Sequence, residues 1–87
     1  MVNDDIYGRV VMVLTDYISD RVPSVDVSSS LVNDLGMDSL ELMAAVTSLE
    51  QEFGLRVPDD VMSEIATVGE LSEFIETKLA VKARVNA

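Results

Sequence analysis

These 87 residues contain no cysteine, no histidine and no tryptophan. Without Cys there is no disulfide and no thiolate nucleophile; without His there is no imidazole acid–base chemistry, and zinc sites of the usual type are excluded as well. An enzyme built from this chain would have to work with carboxylates alone. Aromatic residues are 5% of the chain, so a core must rest on Val, Leu, Ile and Met. No apolar run approaches the roughly 18 residues that would span a bilayer, and the start has no basic stretch followed by an apolar one. A soluble cytoplasmic domain is the expectation.

Bases are scarce too: six Lys and Arg stand against sixteen Asp and Glu, a net charge of −10. The excess is local. Residues 34–76 hold eleven acids and a single base, Arg56, while the rest of the chain balances. Such a field repels nucleic acid and anionic membranes and draws basic protein surfaces. Solubility alone would also account for it. Hydrophobic residues reach 48%, too many for a disordered chain, and the length suits one small domain with a modest core.

The apolar spacing is helical. Ile6, Val10, Leu14, Tyr17 and Ile18 mark one face of a first helix over about residues 4–20. Asn3 or Asp4 can cap it, and Val22-Pro23 ends it. Residues 21–38 make a long connection, which Val25, Val27, Leu31, Val32 and Leu35 can pack down. A second helix runs from about Ser39 to Phe53 and stops at Gly54. Pro58-Asp59-Asp60 opens a short third helix, about 59–65. Thr67 and Glu70 have the spacing of a capping box, and a fourth helix reaches about Leu79, with Val68, Leu71, Phe74, Ile75 and Leu79 inward. The expectation is all-α: a small four-helix bundle of three main helices and one short one, a domain over 1–80 and a frayed tail over 81–87.

The second helix carries two apolar faces. At about 100° per residue, Leu42, Val46, Leu49 and Phe53 form a core stripe with Ala45 beside it. Leu40, Met43, Ala44 and Thr47 lie nearly opposite; Glu41 and Glu52 share one flank and Glu50 holds the other. A second strip edged by carboxylates suits a partner-binding helix. Scattered surface apolar residues are also ordinary.

Before this helix stands Gly36-Met37-Asp38-Ser39-Leu40-Glu41. Asp38 and Glu41 match a broad capping box, and Ser39 can equally be the cap. As a nucleophile Ser39 has no histidine and no nearby Lys to act as base. A hydroxyl at a helix N-terminus is, however, well placed to carry a phosphate, because free N–H groups and the helix dipole stabilise the anion.

The segments Asp34-Leu35-Gly36-x-Asp38-Ser39-Leu40, Leu49-Glu50-x-Glu52-Phe53-Gly54, Val57-Pro58-Asp59 and Ile65-x-Thr67-Val68 resemble, in their order and spacing, the acyl carrier protein family. The resemblance covers residues 31–76 closely. It implies a carrier and not an enzyme. Ser39 would hold 4′-phosphopantetheine, delivered from coenzyme A with Mg²⁺ by a phosphopantetheinyl transferase that recognises Asp38. The arm's thiol would carry acyl groups as thioesters, supplying what a chain without cysteine lacks. Leu40, Glu41, Met43, Ala44, Thr47, Glu50, Glu52 and Val61 would meet acyl-transferring, condensing or modifying enzymes through basic patches. The chain would act as a monomer, and its interior, eased by small residues such as Ala45, would shelter the acyl chain as cargo.

Carriers of bacterial fatty acid synthesis usually have an acid where Ala44 and Val61 stand here. A specialised carrier for a polyketide, lipid or other dedicated acyl group is therefore as open as a fatty acid carrier. Two readings of another kind remain beside it. One is a helical interaction module that binds a partner without the cofactor. The other is an acidic ion-binding protein, though the acids lack the pattern of a calcium loop.

Overall fold

The apolar repeats fold into helices wherever they run long enough. In the computed structural model, which describes residues 4–18 and 25–86, helix α1 spans Asp4–Ile18, α2 Ser39–Phe53, α3 Asp59–Met62 and α4 Val68–Asn86. Among the described residues there is no strand, only an isolated antiparallel bridge between Ser30 and Thr67. The expected cap at Asn3 and the stop at Val22-Pro23 lie outside the described residues.

One core joins three helices and a loop. Val10, Leu14 and Ile18 of α1 meet Ala45, Leu49 and Phe53 of α2 and Val68, Leu71 and Ile75 of α4. Leu31, Leu35 and Met37 of the connection complete it. Helix α3 buries no residue at all, so it rests on the bundle from outside.

The long connection is packed differently from its expected pattern. Leu31 and Leu35 are buried and Val25 is partly so, but Val27 and Val32 face solvent. Met37 takes the inward place instead. The cause is a tie to the start of α4: Leu31 N–H donates to Ala66 O at 2.9 Å, Val68 N–H to Ser29 O at 3.0 Å and Gly69 N–H to Val27 O at 2.9 Å. The serines that look like a linker close turns on neighbouring carboxylates. Asp26 Oδ1 accepts from the Ser28 N–H and hydroxyl at 2.9 and 2.7 Å, and Asp34 Oδ2 accepts from the Ser30 N–H at 2.6 Å.

At Gly69 the two segments come closest. A Cβ there would stand 2.7 Å from Val27 O and 3.2 Å from Val27 Cβ. Gly69→Ala is expected to cost about 1–2 kcal/mol despite alanine's better helix propensity, because backbone must move to admit the methyl. Urea unfolding checks it; an unchanged midpoint would mean the two segments are not locked together.

The capping box of α4 forms as the spacing predicts. Glu70 N–H donates to Thr67 Oγ1 at 3.1 Å, and Glu70 Oε1 accepts from the N–H groups of Ala66 and Thr67 at 2.8 and 3.0 Å. These backbone bonds, from Ala66 first and then Thr67, hold the Glu70 carboxyl below its ordinary value of 4.5. Asp26 is lowered likewise, chiefly by the Ser28 hydroxyl and then its N–H. A depressed carboxyl stabilises the fold above its unfolded value, and that contribution disappears as pH falls through the folded value. Melts taken above and below pH 4.5 should therefore show a smaller acid-induced drop for Glu70→Gln than for the parent. Equal drops would refute the role of this cap.

Two helix ends differ from expectation. Helix α3 stops at Met62 and not near residue 65, because the Ser63 hydroxyl turns back to Asp60 O at 2.7 Å and competes with helical bonding. Helix α4 does not stop near Leu79 but continues to Asn86. Ala80, Lys82, Ala83 and Arg84 are strong helix formers, and Lys82 Nζ donates to Gly54 O at 2.7 Å, tying the extension to the end of α2.

Candidate functional site

The site begins with a choice the sequence leaves open, between Asp38 and Ser39 as the cap of α2. The cap is Asp38. Its backbone is extended (φ −86°, ψ 177°), and Oδ1 accepts the Glu41 N–H at 2.8 Å. Glu41 reaches back to the Asp38 N–H at a long 3.5 Å. Ser39 is thereby released: it is the first residue of the helix, it is exposed, and no described residue bonds its hydroxyl. The N–H groups of Ser39 and Leu40 have no acceptor within the helix, as at any helix start.

Three features hold this serine in place. Gly36 has φ 68°, a left-handed turn that a side chain would strain. Met37 is buried at 1% exposure, and its N–H donates to Leu31 O at 3.2 Å. Asp38 then starts the helix. An exposed hydroxyl thus follows directly on an anchored residue, so the backbone is rigid where the side chain is free. The anchoring role of Met37 could have been read only as the odd apolar residue between Gly36 and Asp38.

Helix α2 shows both apolar faces. Leu49 and Ala45 are fully buried, whereas Leu40 is 79% and Met43 64% exposed. Ala44 and Thr47 are exposed beside them, and Glu41 is half-buried at the helix start. Thr47 Oγ1 donates to Met43 O at 2.9 Å, so this hydroxyl is already satisfied. On α1, Tyr17 OH donates to Ala44 O at 3.2 Å and lies 2.6 Å from Ser48 Oγ, setting how the exposed strip is turned outward.

The two later acids of the helix serve the chain itself. Glu52 pairs with Arg9 of α1 at 2.6 Å, and the Arg9 guanidinium lies 4.4 Å from the centre of the Phe53 ring. Glu50 Oε2 accepts the Val57 N–H at 2.7 Å and fixes the α2–α3 loop. Neither belongs to the open strip of Leu40, Met43, Ala44 and Thr47. The spacing within α2 gives no sign of this, because both partners come from outside the helix.

Between α2 and α3 runs an open groove of about 670 Å³. Ser39 lies at its edge, and Leu42, Met43, Val46, Val57 and Met62 supply apolar wall. Arg56 and Asp59 also line it, while Val61 sits half-buried on α3 without lining it. Ala45, expected to leave room for cargo, has 0% exposure, is packed in the core and does not line this groove. The space lies outside the core because α3 is too short to bury anything against α2. Among the described residues no group of acids is arranged to hold a metal ion, and no helix is long and apolar enough to cross a membrane.

The family described as "Phosphopantetheine attachment site" matches residues 9–75. The chain is 39% identical to an acyl carrier protein of Sinorhizobium fredii over 72 residues, 83% of this chain and 92% of that one. It is 33% identical to an acyl carrier protein of Amoebophilus asiaticus over 78 residues, 90% of this chain and 98% of that one. A solved structure from Mycobacterium tuberculosis, described as that of a candidate acyl carrier protein, superposes with a TM-score of 0.71 at 30% identity, covering 87% of this chain and 96% of its own.

Proposed function

The chain belongs to the acyl carrier protein family, and on that premise we propose that Ser39 is its attachment residue and that it carries acyl groups between enzymes without catalysing their chemistry. The observation that carries this is the released hydroxyl: Asp38 does the capping, so Ser39 Oγ is exposed and no described residue bonds it. The surroundings fit a phosphodiester. Two N–H groups without helical acceptors and the positive end of the α2 dipole lie beside it. When bound, phosphopantetheine supplies the thiol that holds acyl groups.

Attachment is a substitution at phosphorus. Ser39 Oγ forms the new P–O bond, the pyrophosphate P–O bond of coenzyme A breaks, and adenosine 3′,5′-bisphosphate leaves. The serine proton passes to a base of the transferase, since this chain has no histidine to take it. Asp38 keeps the helix start, and with it the hydroxyl, in one orientation.

Partner enzymes dock on Leu40, Met43, Ala44 and Thr47, with Glu41 at the end nearest Ser39. Glu52 joins such a contact only by giving up Arg9, and Glu50 only by freeing the Val57 N–H. The docking face is accordingly more apolar than the net charge suggests, which favours a dedicated acyl pathway. The working form is a cytoplasmic monomer.

The test is intact mass after incubation with coenzyme A, Mg²⁺ and a broad-specificity phosphopantetheinyl transferase. The parent should gain one phosphopantetheine group. No gain, beside a carrier that the same transferase does modify, would leave a helical interaction module as the better reading.

A further inference from the structure

Arg56 is the single base among residues 34–76, and it lines the α2–α3 groove. It has no hydrogen bond or ion pair with any described residue, unlike Arg9 and Lys82, which are both engaged. Its place is at the end away from Ser39. Val57, its neighbour, is held by Glu50, and eleven residues of helix separate Glu50 from Ser39, about 16 Å of rise.

The rest of the lining offers little else to a polar ligand. The hydroxyls of Thr47 and Ser63 are spent on Met43 O and Asp60 O. One Glu50 oxygen is taken by the Val57 N–H, and Asp59 begins α3. These two carboxylates outnumber the guanidinium, so the groove has no general attraction for anions. What it has is one exposed guanidinium among its lining, beside an apolar wall.

We propose that Arg56 selects the cargo: the groove takes an acyl chain with apolar carbons near the thioester and an oxygen acceptor farther out, which the guanidinium binds. This rests on the carrier reading of Ser39. The shared chemistry is a carbonyl oxygen, from either a ketone or a carboxylate. Glu50 and Asp59 favour the neutral ketone, because a carboxylate would approach two like charges.

The experiment loads the parent, Arg56→Gln and Arg56→Lys with hexanoyl, 5-oxohexanoyl and adipoyl arms from the matching coenzyme A thioesters. Two readouts are taken: for every protein the rate of thioester cleavage by exchange with dithiothreitol, which leaves the ketone intact, and for the parent the Nε–H resonance of Arg56. In the parent, the 5-oxohexanoyl thioester should be cleaved roughly fivefold more slowly than the hexanoyl one, as one charge-assisted hydrogen bond at an exposed site allows. Arg56→Gln should abolish that difference and Arg56→Lys retain part of it. The resonance should move with oxygenated chains and not with hexanoyl. Protection of adipoyl alone would assign the acceptor to a carboxylate and keep the role of Arg56. Equal rates for all three chains, or protection that survives Arg56→Gln, would overturn the proposal. Failure of the parent to load any arm would instead defeat the carrier reading, and this one with it.

Discussion

Ser39→Ala is expected to lose all uptake of phosphopantetheine while its unfolding free energy stays within roughly 0.5 kcal/mol of the parent's. The first half follows from chemistry, since no other oxygen at the helix start is a nucleophile placed for a transferase. The second half follows from the cap. Asp38 makes the bond to Glu41, and the Ser39 hydroxyl makes none that its removal would break. Asp38→Ala is the converse case and should cost about 0.5–2 kcal/mol, the usual loss for an N-cap. Intact mass and urea unfolding, run on both variants, separate the roles. A Ser39→Ala protein that still gains the group would place the attachment elsewhere. One that unfolds as readily as Asp38→Ala would make the serine part of the cap after all.

Leu49→Ala should cost about 2–5 kcal/mol and lower the melting midpoint by more than roughly 10 °C. Leu49 is fully buried where α2 meets α1 and α4, and a packed core does not close over the lost methyls. Folding free energies of ordinary domains are only about 5–15 kcal/mol, and a chain this short belongs at the lower end. The variant is therefore expected to be partly unfolded at physiological temperature. Met43→Ala, on the opposite side of the same helix, removes a side chain that is 64% exposed and should change stability by less than about 0.5 kcal/mol. Thermal melts of the pair test whether α2 truly has a core face and a free face. Comparable losses would mean that Met43 packs against the protein and that the exposed strip is no docking surface.

The helices and the connection between α1 and α2 differ in how far local sequence decides them. Apolar repeats in α1, α2 and α4, the Thr67–Glu70 box and the stop at Gly54 are local: each depends on residues within a few positions, so spacing alone locates them. Each of the four segments that carry the family resemblance, the one around Ser39 included, is local in the same way. Val27 and Val32 were expected to pack and face water instead, while Met37 is buried. That exchange is decided by bonds from residues 27–31 to residues 66–69, far along the chain.

The sequence by itself thus determined an all-helical domain, an acidic middle, two apolar faces on α2 and a serine at its start, because helix periodicity, capping and charge count are short-range properties. Only the tertiary structure decided what depends on elements meeting. It made Asp38 the cap and left Ser39 free, spent Glu52 on Arg9 and Glu50 on Val57, and extended α4 far enough for Lys82 to reach Gly54. It also opened a groove between α2 and α3 that Arg56 helps to line, and packed Ala45 into the core. The physical reason is common to all of these: a side chain's partner is set by which helix packs against it, and no spacing within one helix carries that information.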